Sequence, residues 1–197
     1  MVGGALAPGL LIAAPPLGDP NFERTVVLLA LHGPRGALGF VINRASPMQL
    51  GNVLALAGYE GSAKADGRVF VGGPVEPGSG WIITRQPERL TGVPGVIEIG
   101  ERMRVSSSRT AFDRVAKDLE EEHGPARCAS EVVVVLGYSG WGPGQLEGEI
   151  AGGAWLPVQL DESVVFDAEP DQRWHTAHAL LGITPFSAFG MRTVGDA

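Results

Sequence analysis

Apolar positions in this chain fall in short runs, punctuated by glycine and proline. Leu10 to Ala13 is such a run, ended by Pro15-Pro16, and it reads as a strand. Thr25 to Leu31 is β-branched and leucine-rich and stops at Gly33-Pro34, and Leu38 to Asn43 resumes after Gly36. Two such runs across a short Gly/Pro loop predict a hairpin. Further strands are predicted at Arg68 to Val71, Trp81 to Arg85, Val96 to Ile99 and Met103 to Ser106. Gly72-Gly73-Pro74 and Gly78-Ser79-Gly80 are among the turns between them. Glu131 to Leu136 holds four consecutive valines, the pattern of a strand buried on both faces and central in its sheet. Trp155 to Leu160 and Val164 to Phe166 are further extended runs.

Helical periodicity appears in between. Ser46, Pro47 and Gln49 form a capping-box start, with Leu50, Val53, Leu54 and Ala57 on one face and Gly58 as a left-handed stop. A second helix is predicted from Thr110 to Glu122, with Thr110 and Asp113 at capping-box spacing and Gly124-Pro125 ending it. A short helix follows Pro143, to about Ala151. Asp171 can cap a last one with Trp174, Ala177, His178 and Leu181 on its face and Gly182 after it. About nine strands and about four helices, not strictly alternating, argue for an α+β fold. With no repeat and no long linker, residues 1–197 read as a single domain, with a core at about 6–183 and a mobile tail at 184–197.

Composition narrows the class. Hydrophobic residues make up 44% and charged residues 19%, which is globular and excludes a charged disordered tail protein. The net charge of −7 argues against direct DNA binding, which depends on neutralising phosphates. One local exception is Arg102, Arg104, Arg109, Arg114 and Lys117 against Glu101 and Asp113, read as a solvated helix face plus a strand edge in preference to an anion patch. The one cysteine, Cys128, permits no intramolecular disulfide and fits a reducing cytoplasm. Residues 1–18 are uncharged but broken by glycine and proline, and the first basic residue is Arg24, so neither a spanning helix nor a secretory signal is predicted. No cofactor and no metal is expected, and the sequence leaves the oligomeric state open.

The segment Leu136-Gly137-Tyr138-Ser139-Gly140-Trp141-Gly142-Pro143-Gly144-Gln145 is the most suggestive. It reads as a strand, a glycine turn and a helix start, a geometry that can aim backbone N–H groups at an anion. A P-loop needs Lys where Gln145 stands, the dinucleotide pattern fails in both frames, and the nucleophile elbow around Ser139 fails at Trp141. Packing of Tyr138 and Trp141 by the glycines is favoured over a ligand site, and both over a serine nucleophile. Candidate ligand-binding residues are Gly73, Tyr138, Ser139, Trp141, Gly144 and Gln145, and no residue is named as catalytic. An exposed Trp141 or Trp81 would mark a partner interface; buried, they are core.

Of the four histidines, His32 reads as a strand end and His123 as a helix C-terminal cation. His175 and His178 are compatible with two ligands on one side of a helix, but a zinc site needs at least three, so a packed, satisfied His178 is favoured. Glu120, Glu121 and Glu122 read as a solvated helix end. Glu147, Glu149, Asp161, Glu162 and Asp167 lie in separate elements and give no acid/base pair by spacing.

Several phrases combine in order along the chain: Gly9-Leu10-Leu11-Ile12-Ala13; Asp19-Pro20-Asn21-Phe22-Glu23-Arg24-Thr25-Val26-Val27; His32; Gly36-Ala37-Leu38-Gly39; Val41-Ile42-Asn43; Gly72-Gly73-Pro74-Val75; Leu136 through Glu147; and Arg173-Trp174. In this order and spacing they resemble the YqgE/AlgH family of small bacterial proteins. The resemblance covers roughly residues 6–183. It implies an α+β fold with a bifurcated mixed sheet and a small barrel-like portion wrapped by helices. It brings no catalytic residues, and the family pattern takes Ala where Ser139 stands. Members are mostly described as uncharacterised, with a transcriptional-regulator label on one branch. The departures are glycine and alanine enrichment and the loop at 59–67. The expectation is a non-enzymatic cytoplasmic protein that acts on a protein or a small anionic ligand and regulates transcription indirectly. The alternative is a hydrolase or nucleotide- or phosphate-processing enzyme using the turn at 137–145.

Overall fold

The computed structural model describes residues 6–15, 18–59, 67–121 and 131–182. In chain order the elements are β1 (Gly9–Ala13), β2 (Val26–Gly33), β3 (Gly36–Val41), β4 (Ala45–Gln49), α1 (Leu50–Leu56), β5 (Arg68–Val71), β6 (Val75–Thr84), a 3-10 turn (Pro87–Leu90), β7 (Ile97–Ile99), β8 (Met103–Ser106), α2 (Arg109–Glu121), β9 (Val132–Trp141), α3 (Gln145–Ala151), β10 (Trp155–Gln159), α4 (Glu162–Phe166) and α5 (Arg173–Leu180). Ten strands and five α-helices among the described residues make the α+β class plain. The sheet is mixed and does not close.

The chain divides into two compact units, Met1–Arg44 with Ser139–Ala197, and Ala45–Tyr138. In the first, β10, β1, β2, β3 and the last residues of β9 follow one another, each pair antiparallel. The expected hairpin is β2–β3. Leu11, Ala13, Val27, Leu29, Val41, Trp141, Leu146 and Trp155 form its core. Gly39 is required there: a Cβ would stand 2.6 Å from Val27 Cγ1 and 2.9 Å from the Leu28 carbonyl.

In the second unit the valine run of β9 is buried and paired on both edges, with β5 parallel and β6 antiparallel. It is the central strand its pattern predicts. β6 continues to β8 and β7, and β4 flanks β5. β5 and β6 pair along the start of β9 and β3 along its end. Val132 and Val134 pack with Leu54, Val69, Ile82, Phe112 and Val115 as this unit's core.

Several local expectations are corrected. Residues 45–49 are strand, not helix: Ala45 opposes Phe70 and Gln49 opposes Arg68, so sheet pairing overrides the capping signal. The Ser46 hydroxyl accepts from the Met48 amide at 3.1 Å, a local turn, and α1 starts at Leu50. Its stop is as read, with Gly58 at φ +96°. α2 is capped by Ser108, whose hydroxyl accepts from the Ala111 amide at 3.2 Å, and Thr110 lies inside the helix. Residues 164–166 are helical because Asp161 caps α4 through the Ser163 amide at 2.9 Å. Asp171 does not cap α5; the Glu169 carbonyl takes the Gln172 and Arg173 amides instead. The tail from 183, Cys128 and His123 lie outside the described residues.

His178 on α5 is fully buried. Its Nδ1–H donates to the Trp174 carbonyl at 2.8 Å, which leaves Nε2 as a buried acceptor with no partner among the described residues. This corrects the expected satisfied histidine. Burial disfavours the cation and holds the His178 pKa below its ordinary 6.5, and the neighbouring His175 acts in the same direction. A depressed histidine contributes full stability above 6.5 and loses it as the pH falls through the folded value, because the unfolded chain then binds more protons. His178→Leu should therefore flatten the loss of stability between about pH 7.5 and about pH 5, read by urea midpoints; equal pH slopes in both chains would count against this account.

Candidate functional site

β9 does not stop at Leu136 but runs on to Trp141. Gly137 to Trp141 are thus strand residues, which corrects the glycine turn expected there. The turn is confined to Gly142, Pro143 and Gly144. The candidate residues divide between the units: Gly73 and Tyr138 fall in the second, Ser139, Trp141, Gly144 and Gln145 in the first.

In the second unit, Val75 opposes Tyr138 while Gly80 opposes Leu136. Glu76 to Ser79 therefore face the single residue Gly137, and four residues loop out of an otherwise continuous strand. Glu76 takes φ +46° and Gly137 φ +72°. A Cβ on Gly137 would stand 2.7 Å from the Gly73 carbonyl and 2.9 Å from that of Val75, so only glycine fits. The Ser79 hydroxyl donates to the Glu76 carbonyl at 2.9 Å and accepts from the Trp81 indole at 3.2 Å. Behind the loop the Trp81 and Tyr138 rings meet edge to face with centroids 6.0 Å apart, both half-buried. The result is an exposed Glu-Pro-Gly loop on a rigid aromatic base.

In the first unit the candidates serve packing. Ser139 is fully buried and opposite Gly39 in the β3–β9 pair. An elbow nucleophile must stand exposed on a turn, so this geometry does not present Ser139 as one. Gly144 takes φ +74° at the start of α3, which has no side-chain cap. The Gly142 amide donates to Gln145 Oε1 at 3.0 Å, and the Gln145 amide to the Gly142 carbonyl at 3.1 Å. Two of the amides that an anion cradle would offer are thus already spent within the turn. Trp141 is buried and belongs to the core.

What organises this corner is Glu149, which the sequence did not single out beyond its place among the carboxylates. Its Oε2 accepts from the Trp141 indole at 2.9 Å and the Trp155 indole at 2.8 Å, and its Oε1 from Gln145 Nε2 at 2.9 Å. Phe22 lies against both indoles, at 5.4 Å from Trp155 and 6.3 Å from Trp141. The four-residue spacing of Gln145 and Glu149 on a helix was the only local signal for any of this.

The remaining polar candidates are also accounted for. His32 Nε2 pairs with Glu147 Oε1 at 2.9 Å. The Glu147 carboxyl is held below its ordinary value by its own backbone amide first and by His32 second. His175 and His178 both pack edge-on against Trp174, and no group of three or more metal-ligating side chains occurs among the described residues. Part of the basic stretch is engaged on the spot: Arg104 reaches Glu98 at 3.6 Å, Arg109 reaches Asp113 at 3.8 Å, and Arg114 donates to the carbonyls of Arg89 and Thr91. Among the described residues no helix is long and apolar enough to cross a membrane.

Comparison with known proteins is consistent across sequence and structure. A family model described as AlgH-like (DUF179) matches residues 10–186. A UPF0301 protein of Anaeromyxobacter sp. (strain Fw109-5) is 41% identical over 187 residues, covering 91% of this chain and 90% of its own. A UPF0301 protein of Myxococcus xanthus is 38% identical over 187 residues, covering 91% and 93%. The solution structure of the AlgH protein from Pseudomonas aeruginosa superposes with a TM-score of 0.71 at 30% identity, covering 100% of this chain and 98% of that one. The crystal structure of protein DIP2367 from Corynebacterium diphtheriae shares the fold, with a TM-score of 0.64 at 22% identity over 90% and 88%.

Two stability measurements test this geometry. Glu149→Leu strips the acceptor from two buried indoles and should cost about 2–4 kcal/mol in urea unfolding, with Glu149→Gln milder because an acceptor remains. Gly137→Ala should cost about 2 kcal/mol or more, through both its backbone angle and the carbonyls it would strike. A near-neutral result in either case would refute the corresponding contact scheme.

Proposed function

The chain belongs to the AlgH-like family, and on that premise we propose that it is a non-enzymatic binding protein whose contact surface is the Glu76–Ser79 loop on its Trp81–Tyr138 base. The observation that carries this reading is strain. A non-glycine residue at φ +46° and a glycine locked against two carbonyls hold four residues out of a buried sheet. Strain of about 1–3 kcal/mol per residue persists only where the surrounding structure over-determines it, and it concentrates where proteins make contacts. Rigid presentation lowers the ordering cost of binding.

Its role on this reading is regulatory and indirect, through a protein or small ligand in a reducing cytoplasm. The net charge of −7 and the locally compensated arginines speak against reading DNA. The hydrolase alternative needs a reachable nucleophile or a cradle of free amides. A buried Ser139 and an engaged Gly142 amide favour the binding reading over it.

Two measurements test the proposal. A photo-crosslinking residue placed at Pro77 should give a discrete adduct in cells that disappears with Trp81→Ala, while the same residue at Glu162 should not give it; no adduct at Pro77, or the same adduct from both positions, would overturn the surface assignment. Duplex DNA at about 0.15 M salt should show no tight shift in a gel, and a specific complex there would overturn the indirect role.

A further inference from the structure

The β6 loop uses little of the sequence that carries the family resemblance. Four of the other phrases, Gly9–Ala13, Asp19–Val27, Val41–Asn43 and Arg173-Trp174, meet in the first unit. The Asp19 carboxylate accepts from the Asn21 amide at 2.8 Å, and its carbonyl accepts from the Phe22 and Glu23 amides at 2.9 and 2.8 Å. Asn43 clamps the exit of this loop: Oδ1 accepts from the Val26 amide at 2.9 Å and Nδ2 donates to the Arg24 carbonyl at 2.8 Å. From α5, the Trp174 indole donates to the Ala13 carbonyl at 3.0 Å and the Arg173 guanidinium to the Ile42 carbonyl.

This frame fixes two cations. Arg24 takes φ +55°, uncommon for a residue with a side chain, and its exposed guanidinium lies 5.5 Å from the centre of the buried Trp174 ring. Arg44, next to the clamping Asn43, donates from Nη2 to the carbonyls of Pro20 at 2.8 Å and Glu23 at 3.3 Å. One guanidinium thus belongs to Arg24 and the other sits on the carbonyl of the residue just before it. Among the described residues neither arginine is in an ion pair, and Glu23 on the same loop pairs with neither. Among the described residues the Nε and Nη1 of Arg44 and the N–H groups of the Arg24 guanidinium find no acceptor. An exposed arginine ordinarily pays rotamer entropy to bind; these two are already held, by an aromatic face and by carbonyls.

We propose that Arg24 and Arg44 together bind the phosphate group of a small molecule. A guanidinium presents its N–H donors as a planar fork, and two forks match the three oxygens and double charge of a phosphate, whereas a carboxylate satisfies one fork. The acidic surface of the whole chain selects against a polyanion such as nucleic acid, so the ligand is small. This site is independent of the β6 loop, and either can fail without the other.

The test is an NMR titration of the full chain with inorganic phosphate and, separately, with AMP, at constant ionic strength held by chloride. The Arg24 Nε–H and Trp174 indole signals should shift saturably. Affinity should fall at least about tenfold in Arg24→Ala and in Arg44→Ala, and partly in Arg24→Lys, which keeps the charge and loses the fork. The Trp141 and Trp155 indole signals report that each variant is folded. Tighter binding of AMP than of phosphate identifies a phosphomonoester, and equal binding identifies free phosphate. Shifts that never saturate up to about 50 mM, or affinities unchanged in both alanine variants, would overturn the site.

Discussion

The hydrogen-bond demand of one buried strand governs the second unit. Val132 to Val135 lie away from water, so every amide and carbonyl along them must find a partner in β5 or β6. That requirement holds β6 in register up to Gly80 and again at Val75. The four residues between can only be expelled outwards, and Gly137 supplies the one backbone angle that lets the ladder close beneath them. The exposed loop, its strained Glu76 and the aromatic base behind it follow from this pairing.

The first unit solves a different problem. Two large indoles fill its core, and each carries an N–H that cannot be left bare. A single carboxylate, Glu149, satisfies both and is steadied by Gln145. The glycine turn between β9 and α3 brings this helix back over the sheet, which explains its composition without any ligand. The loop from Asp19 to Thr25 then lays Phe22 on the indoles and leaves Arg24 outward.

Much of this architecture was legible in residue order. Period and punctuation located β5 and β8 at their observed ends, the β2–β3 hairpin, and the centrality of the valine strand. The failures share one cause. Ser46 and Asp171 have the chemistry of caps, yet Ser46 spends its hydroxyl on a local turn inside a paired strand, and a backbone turn took the amides Asp171 would have bound. Val164 to Phe166 has strand propensity but follows an aspartate that caps. The two-unit division left no trace because its second boundary falls inside β9, between Tyr138 and Ser139, where no linker composition is needed. At the candidate site the glycines drew attention to the right segment, but bonding between Glu149 and two indoles joins residues whose types do not announce one another.

The order of the two units along the chain bears on how the protein is made. Residues 45–138 are complete as a unit before Ser139 leaves the ribosome, whereas the opening strands must wait for β10 and α5. During synthesis from the N-terminus the later-numbered unit can thus mature first. Meanwhile β1, apolar throughout and flanked in the finished sheet by β2 and β10, has only one of its two neighbours available. A nascent chain stalled before Trp155 would carry an unprotected strand edge, the kind of surface that chaperones shield.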